Sequence, residues 1–583
     1  MIWIELSMDS HSISLITTLF LVFLSAIVGG IIAKRLRQPT LLGYIASGVL
    51  FGNLLAKTVD QSFLQTIADV GVTLLLFTLG LEFSLQRLKK VMGTVVWAGV
   101  AQILLVILVF FFVFSFLGFG FLPAVYIAVA ASLSSTAIIV KVLSERGELE
   151  TVPGEIATGW SVVQDLAVIP IMIVLPTLVA VGSSGSISVG SVALAVLVSL
   201  FKSGVTLAVV FYLGRKGIPR LLNIISAVQS REIFLLFTIG IVFLAALVTY
   251  AIGLSAAIGA FIAGLLISET SQNHAIFAEV RPLRDLFVVV FFVSLGMVLP
   301  IKDVWGMLPM LLGITALILF VKWFIVFGLT RYLGNHRKTA FIVALSLMQM
   351  SEFGFIIAKE GLDVGVLNSQ RYIFMVALTF CTMFVGTTLL SSSHSLYYWF
   401  YRTLGKLMPR IFSNKQELNP NSEELPIKNH IVICGYGRVG KYIGRALDMT
   451  GIPYLVVDYN QTTVADLRSR GVQVVYGDPA DKDVLDYAQV DFARAVIIAI
   501  PDRHTQEMII SNAQTLNRHI RIICRTHHEE DQAHLKSLGV TTIVQPEFEA
   551  ALSVINKLLP DFGISEADIA GKITRLKIEH GLG

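Results

Sequence analysis

Long apolar windows recur from Ile13 to Phe400, and this recurrence constrains the fold more than any other feature of the chain. A helix needs roughly 20 apolar residues to cross the hydrocarbon core of a bilayer. We count 13 windows of about that length, at 13–33, 41–55, 63–84, 92–117, 121–143, 153–180, 187–213, 230–250, 252–268, 281–299, 304–331, 339–360 and 371–401. Composition agrees, since 55% of the 583 residues are hydrophobic and 14% are charged. A polytopic α-helical membrane protein is predicted.

The charges between these windows predict the orientation of the chain. Short loops that face the cytoplasm are enriched in Lys and Arg. With 13 spans, one set of loops and span ends holds 17 Lys and Arg residues, and the opposite set holds four. The N-terminus is therefore predicted to lie outside and the C-terminus in the cytoplasm. The first window lacks a basic leader and a small-residue cleavage site, so we expect it to be retained as a span.

The character of the sequence changes after the last window. We predict a transmembrane domain over 1–402, a polar linker over 403–428, a soluble domain over 429–560 and a C-terminal tail over 561–583. In the soluble domain, short β-branched runs alternate with polar helical stretches, which is the pattern of a parallel α/β sheet. The net charge of +4 gives no indication of a nucleic-acid partner.

One carboxylate, Asp165, lies in the apolar sixth window, in the stretch "WSVVQDLAVIPIMIVLP". An ionisable side chain at the centre of an inserted helix costs about 2.5–3.5 kcal/mol, so such residues are functional candidates. Lys322 and Glu352 lie at comparable depth in later windows. A structural role for Asp165, as a buried ion pair or a permanently protonated acid, stays open. Lys322 is the candidate counter-charge of Asp165, whether the role of Asp165 is functional or structural.

Two windows contain clusters of polar residues where an uninterrupted helix is expected. Hydroxyl and amide side chains compete with the helical hydrogen bonds, and a break in a span is tolerated only where it lines protein or water. If spans 1–6 and 8–13 form two inverted repeats of six helices, these clusters occupy equivalent positions, which is typical of a transporter's central site. Polar groups that only join helices are the alternative. The cluster residues that we predict to bind the ion or proton are Ser134, Ser135 and Thr136 in span 5, and Gln349, Ser351 and Glu352 in span 12.

Four motifs together resemble the Kef-type monovalent cation/proton antiporters. They are Gln164-Asp165 before Pro170, "GLSAAIGAFIAGLLIS" at 253–268, "FFVSLGM" at 291–297 and "QMSEFGF" at 349–355. The resemblance implies a homodimer in a bacterial inner membrane, surrounded by lipid, in which Asp165 alternately binds a proton and K+ or Na+. It also implies that Gln164 belongs to the ion site.

The residue beside Asp165 bears on stoichiometry. Related sodium/proton antiporters carry two adjacent Asp residues there, whereas Gln164-Asp165 offers one titratable group. One carboxylate that holds either a proton or a cation predicts one-for-one, electroneutral exchange. Such exchange takes no energy from the membrane potential, which is worth about 2.3 kcal/mol per charge per 100 mV.

The soluble domain opens with a dinucleotide-binding pattern. In "HIVICGYGRVGKYIG" an apolar strand enters Gly435-Tyr436-Gly437-Arg438-Val439-Gly440, a helix follows, and Asp458 ends the next strand. Glycines in this context let backbone N–H groups approach a phosphate, and the acid can bind ribose hydroxyls. A sheet that only packs is the alternative. The pattern predicts a nucleotide site.

This domain resembles the regulatory potassium-conductance fold, also called TrkA-N, which implies NAD(H), AMP or another adenine nucleotide as a regulatory ligand. Within the resemblance, Asp478 falls among the residues that line the cleft. Some members respond to glutathione, for which we assign no residues here. We therefore expect a ligand-regulated K+/H+ or Na+/H+ antiporter without a catalytic cofactor. A ligand-gated potassium channel and a membrane-anchored NAD-dependent oxidoreductase are the alternatives.

Overall fold

The structure is a computed structural model of the chain. It describes residues 10–36, 38–55, 61–82, 93–182, 198, 212, 214, 217–225, 227–228, 230–251, 256–404, 429–526 and 530–580. Most of predicted span 7, at 187–213, and most of the predicted linker, at 403–428, lie outside these residues.

The chain divides into two compact units, and the division differs from the predicted domain boundary. The first unit comprises Met1–Ile139, Ile156–Leu329 and Ala344–Ser391. The second comprises Val140–Glu155, Thr330–Val343 and Ser392–Gly583. Three short segments from the region that we predicted to be transmembrane, 140–155, 330–343 and 392–402, therefore belong to the same unit as the α/β residues.

Helices in the apolar windows follow the predicted spans closely. Among the residues that the structure describes, eight helical segments are long and apolar enough to cross a membrane, and two shorter apolar helices accompany them. The number of spans stays a prediction. The helix bounds are α1 Ser10–Arg35, α2 Thr40–Leu55, α3 Gln61–Glu82, α4 Thr94–Phe116, α5 Phe121–Ser132, α6 Thr136–Glu145, α7 Val152–Gly182, α8 Arg231–Ala251, α9 Ala256–Ser268, α10 Asn273–Met297, α11 Ile301–Gly306, α12 Leu308–Tyr332, α13 Arg337–Leu347, α14 Phe353–Asp363, α15 Ser369–Ser391 and α16 Ser393–Leu404.

Both helices that we predicted to be interrupted are interrupted. Span 5 consists of α5 and α6, and Leu133 between them has extended backbone angles (φ −87°, ψ 150°). Span 12 consists of α13 and α14, with non-helical residues around Gln349 and Ser351. Because the polar side chains at these places offer the backbone other hydrogen-bond partners, a continuous helix loses its advantage there.

Close helix contacts in the first unit depend on paired glycines. A Cβ added at Gly80 of α3 would lie 2.2 Å from the carbonyl oxygen of Phe261 in α9. A Cβ at Gly264 of α9 would lie 2.0 Å from the carbonyl oxygen of Phe77 in α3. Small residues on both sides allow two apolar helices to approach backbone to backbone, and dispersion contacts then hold them together.

The α/β residues of the second unit form a six-stranded parallel sheet in the order β3-β2-β1-β4-β5-β6. This is the strand order of a doubly wound dinucleotide-binding fold, so the predicted class is confirmed. The strands are β1 Ile431–Cys434, β2 Tyr454–Asp458, β3 Val474–Tyr476, β4 Ala495–Ile498, β5 Arg521–Arg525 and β6 Thr542–Val544. The helices among and after them are α17 Arg438–Thr450, α18 Gln461–Ser469, α19 Lys482–Tyr487, α20 Arg503–Leu516, α21 Glu530–Ser537, α22 Pro546–Leu558 and α23 Glu566–Glu579.

The central strands of this sheet are apolar because both faces are covered. Val432, Cys434, Leu455 and Val496 belong to one buried cluster, and Ile433 belongs to a second cluster. Side chains of a strand alternate between the two faces, so a strand between two helical layers is apolar throughout. The switch from β1 to β4 in the strand order leaves a crevice at the carboxyl ends of the strands, where ligands of such sheets bind.

Candidate functional site

The break between α5 and α6 brings a hydroxyl group to the carboxylate of Asp165. Thr136, the first residue of α6, donates from Oγ1 to Asp165 Oδ2 at 2.7 Å. Asp165 is half-buried in α7 and lines a small cavity, where it is the one charged residue among the described residues of the lining. The other lining residues are Leu76, Leu79, Val168, Ile169, Met172, Ile258 and Phe261. A carboxylate in such an apolar setting is stabilised by any cation or proton that it binds.

Gln164, the neighbour of Asp165, is held by both ends of its amide. Its Oε1 accepts from the backbone N–H of Ser134 at 2.8 Å, and its Nε2 donates to Gln102 Oε1 at 2.5 Å. Gln102 Nε2 in turn donates to the carbonyl oxygen of Ser132 at 2.9 Å. All four residues of this chain of hydrogen bonds, Ser132, Ser134, Gln102 and Gln164, are fully buried. Gln102 was missed from the sequence, where its only signal is a lone amide in an apolar run.

Lys322 of α12 joins the two interrupted helices. Its ammonium donates to the carbonyl oxygen of Leu133 at 2.8 Å, to Ser134 Oγ at 3.0 Å and to the carbonyl oxygen of Gln349 at 2.7 Å. An ammonium has three N–H donors, and these three oxygens account for all of them. The predicted partner of Lys322 was the Asp165 carboxylate. Two of the three observed partners are carbonyl oxygens at the broken helix ends, which carry partial negative charge.

The break between α13 and α14 contains the other predicted residues of this site. Gln349 is fully buried, and within the described part of the chain neither atom of its amide has a hydrogen-bond partner. Ser351 Oγ donates to Glu352 Oε2 at 3.3 Å, and Glu352 is half-buried at the start of α14. In the first break, Ser135 Oγ accepts from the backbone N–H of Ile138 at 3.3 Å. Lys322 thus contacts both breaks, and Thr136 connects the first break to Asp165.

A second site lies in the α/β unit, at the switch point of the sheet. Its cavity has a volume of about 320 Å³. Six of the predicted nucleotide-binding residues line it, namely Gly435, Tyr436, Gly437, Arg438, Val439 and Asp458. Lys441 and Arg525 add positive charge to the lining. The N-terminus of α17 and these cations together suit an anionic group such as a phosphate.

The glycine-rich turn beside this cavity is held by backbone contacts. A Cβ at Gly440 would lie 2.3 Å from the carbonyl oxygen of Gly435. The turn therefore packs against position 440 too closely for any residue with a side chain. Asp458 Oδ2 accepts from the backbone N–H of Tyr436 at 2.6 Å, and its Oδ1 accepts from Asn460 N–H at 2.7 Å. Burial raises the pKa of Asp458, although these two N–H donors act in the opposite direction.

Residues between α6 and α7 form part of the same cavity. Gly147, Glu150 and Thr151 line it together with the glycine-rich turn. The carboxylate of Glu150 pairs with Arg438, and both side chains are largely exposed. Sequence reasoning did not find this wall, because nothing in the sequence links a loop near residue 150 to a turn near residue 438. These lining residues belong to the connection between α6 and α7.

Asp478, the eighth predicted nucleotide-binding residue, does not line the cavity. Its Oδ2 lies 3.1 Å from Lys338 Nζ and accepts from Tyr398 Oη at 3.1 Å, and its Oδ1 accepts from Ala480 N–H. Burial by itself raises the pKa of Asp478, but Lys338 and the Ala480 N–H outweigh it, so the pKa falls below its ordinary value. The resemblance placed Asp478 among the residues that line the cleft, whereas in the structure it pairs with the buried Lys338 and is not among the residues that line this cavity.

Replacing Lys338 with methionine is expected to destabilise the protein by roughly 3–5 kcal/mol, because it leaves the buried Asp478 charge without its partner. The double variant Lys338→Met, Asp478→Leu is expected to recover much of that loss. Thermal unfolding of the purified full-length chain measures both variants. Arg503→Met, which removes an exposed cation from the same unit, is the control. If Lys338→Met and Arg503→Met were equally stable, the buried ion pair between Lys338 and Asp478 would be contradicted.

A second buried polar group lies near this pair. His394 contacts Glu148 Oε2 at 3.2 Å and Asp502 Oδ2 at 3.3 Å, and Arg146 contacts Glu148 Oε1 at 2.9 Å. Burial raises the pKa of Asp502, but His394, Lys338, Thr505 and Arg146 reverse this and leave it lowered. Glu148, His394 and Asp502 are close enough to hold a metal ion. Because Arg146 already contacts both carboxylates, we assign the group as an ion-pair cluster.

Comparison with known proteins assigns a family to each of the two regions of the chain. Residues 22–392 match the family described as sodium/hydrogen exchanger, transmembrane, and residues 431–546 match the TrkA-N domain. The putative cation/proton antiporter YbaL of Escherichia coli is 30% identical, over 94% of this chain and 98% of its own. The glutathione-regulated potassium-efflux system protein KefC of Salmonella typhi is 29% identical, over 96% and 86%. The sodium proton antiporter MjNhaP1 of Methanocaldococcus jannaschii has a similar fold, with TM-score 0.51 and 16% identity over 66% of this chain and 98% of its own.

Proposed function

The chain belongs to the sodium/hydrogen exchanger family and carries a TrkA-N domain after the exchanger region, and we propose that it exchanges one monovalent cation for one proton at Asp165. It is a secondary transporter, so the oxidoreductase and channel alternatives fall away with the family. K+ is the proposed cation, supported by the names of relatives such as KefC. The proposed assembly is a homodimer in a bacterial inner membrane.

The observation that carries this proposal is the surrounding of Asp165. Its carboxylate accepts from Thr136 at a helix break, and beside it is a cavity that is otherwise apolar. A cation and a proton each neutralise the same charge, and a single carboxylate cannot hold both. Competition between the two then couples their movements in opposite directions. Gln349, whose buried amide has no partner among the described residues, is the proposed further ligand of the cation.

The structure also supports the proposed stoichiometry. The amide of Gln164 is engaged at both ends, and the ammonium of Lys322 is engaged by three oxygens without charge. Within this arrangement Asp165 is the group that we propose to change protonation during transport. One proton lost for one cation gained leaves the charge of the site unchanged. In this proposal, Ser134 and Ser135 stabilise the break between α5 and α6, and Ser351 and Glu352 stabilise the break between α13 and α14.

One-for-one exchange has a thermodynamic signature. A tenfold cation gradient stores about 1.4 kcal/mol, which equals about one pH unit. In proteoliposomes with a tenfold K+ gradient, we expect proton flux to vanish when the opposing pH difference is about one unit, at any clamped membrane potential. Two protons per cation would instead place the null point near half a unit and make it depend on potential. The same titration with Na+ measures selectivity.

For the second unit we propose regulation by a nucleotide, with AMP and NAD(H) as the ligands to test. Support comes from the match to the TrkA-N domain and from the cavity beside the glycine-rich turn, whose lining includes Arg438, Lys441 and Arg525. The loop that includes Gly147, Glu150 and Thr151 offers a route to the transport site, since it joins α6 to α7. Control by glutathione rests on the names of relatives alone.

A further inference from the structure

We propose that Gln102 is a positioning residue of the exchange site, which fixes the orientation of Gln164 and thereby the shape of the helix break that brings Thr136 to Asp165. The proposal rests on the exchange at Asp165 proposed above. It adds a residue from α4, a helix in which the sequence analysis assigned no functional residue.

The break between α5 and α6 leaves backbone groups that a continuous helix would pair. Ser132 ends α5, and its carbonyl oxygen accepts from Gln102 Nε2. Ser134 lies inside the break, and its N–H donates to Gln164 Oε1. The two glutamine side chains therefore provide hydrogen bonds that the interrupted helix cannot provide for itself.

These contacts allow only one orientation of each amide. A backbone carbonyl can only accept and a backbone N–H can only donate, so the two ends of the chain of hydrogen bonds have fixed signs. Between them, Gln102 must direct Nε2 to Ser132 and Oε1 to Gln164 Nε2. Turning either amide over would place donor against donor or acceptor against acceptor. Gln102 thus holds Gln164 in the orientation that directs its oxygen at the Ser134 N–H.

Burial makes this orientation consequential. Gln102, Gln164, Ser132 and Ser134 are all 0% exposed, so water has no access to replace a lost partner. Two contacts then connect the break with consecutive residues of α7, from Ser134 to Gln164 and from Thr136 to Asp165. Loss of the first contact frees the segment that carries Thr136. The requirement at position 164 is therefore for an amide that both accepts and donates, in addition to the absence of a second charge.

Two substitutions separate this role from simple packing. Gln102→Met keeps the approximate length and volume but removes both polar functions. Gln102→Glu retains them only when protonated, since a carboxylic acid has one donor and one acceptor, whereas a carboxylate cannot donate to the Ser132 carbonyl. Gln38→Met is the matched control, because Gln38 is also buried and its Nε2 donates to Thr388 outside the break.

The measurement is cation-driven proton flux in proteoliposomes over a pH series, expressed as a ratio to wild type at each pH, with maximal rate and KM determined separately. We expect Gln102→Met to lower the maximal rate at least tenfold at every pH, and Gln38→Met to stay within about twofold of wild type. Gln102→Glu should approach the wild-type rate at acid pH and fall toward the Gln102→Met rate at alkaline pH. This pH-dependent ratio would persist even if Gln102→Met failed to fold.

Wild-type flux in Gln102→Met would overturn the proposal, as would a Gln102→Glu ratio that does not change with pH. Absence of exchange in Asp165→Asn, with wild-type exchange in Gln102→Met, would leave the transport site intact and remove Gln102 from it. Robust exchange in Asp165→Asn would instead overturn the transport site on which the proposal depends.

Discussion

Asp165→Asn is expected to reduce cation-driven proton flux to the level of empty liposomes, a loss of at least about 100-fold. Asparagine has nearly the same shape and can still accept the hydrogen bond from Thr136. It cannot bind a proton as an acid, and it offers a cation no negative charge. The fold should therefore survive while the exchanged charge disappears. Proton flux into liposomes that contain the purified protein, reported by a pH-sensitive dye under K+ and Na+ gradients, tests this expectation.

Two further variants make the result interpretable. Asp69→Asn removes a carboxylate of α3 that pairs with Lys359, and we expect this variant to retain exchange. Asp165→Glu keeps the charge but moves it by one methylene, so we expect measurable exchange at a reduced rate. Substantial cation-driven flux in Asp165→Asn would refute Asp165 as the carrier, whatever the behaviour of the other two variants.

Gly440→Val is expected to weaken nucleotide binding more than tenfold. Even a Cβ at this position would lie 2.3 Å from the carbonyl oxygen of Gly435, a backbone atom, so the turn must move. The backbone N–H groups that we propose to approach a phosphate would move with it. Isothermal titration of the full-length protein with AMP and with NADH measures the effect.

Gly571→Ala provides the control for that variant. Its added Cβ meets no atom within 4 Å in α23, so binding should match wild type. If wild type binds and Gly440→Val binds equally well, the glycine-rich turn is not the nucleotide site. If neither AMP nor NADH binds to wild type, nucleotide regulation itself is refuted, and transport at Asp165 is unaffected by that outcome.

The predictions that succeeded from sequence depended on local patterns. The helical windows follow from length and hydropathy, and the two breaks follow from clustered hydroxyl and amide groups near Ser134 and Ser351. The glycine-rich turn and Asp458 together are typical of a dinucleotide-binding fold, and the strand order of the second unit is the order of that fold. In each case the residues that decide the structure are close together in the chain, so their spacing shows what they do.

The contacts that the sequence did not indicate are made by partners that are distant in sequence. Lys322 was expected at Asp165 because both are charged and buried, yet its ammonium binds carbonyl oxygens of two helix breaks. Asp478 was expected in the cleft, yet it pairs with Lys338. A charge specifies that it needs compensation but not which donor or acceptor supplies it, and only packing of the helices makes that choice.

By itself, the sequence determined that the chain is a helical membrane protein with a dinucleotide-binding fold, that two helices are broken, and that Asp165 is an unusual charge among apolar residues. These features depend on hydropathy, spacing and backbone preference, which act within a few turns of the chain. Only the tertiary structure decided that Gln102 and Gln164 close one break and that Lys322 joins both. Those hydrogen bonds form between different helices and depend on the distance and direction between donor and acceptor. The order of the residues specifies neither of these quantities.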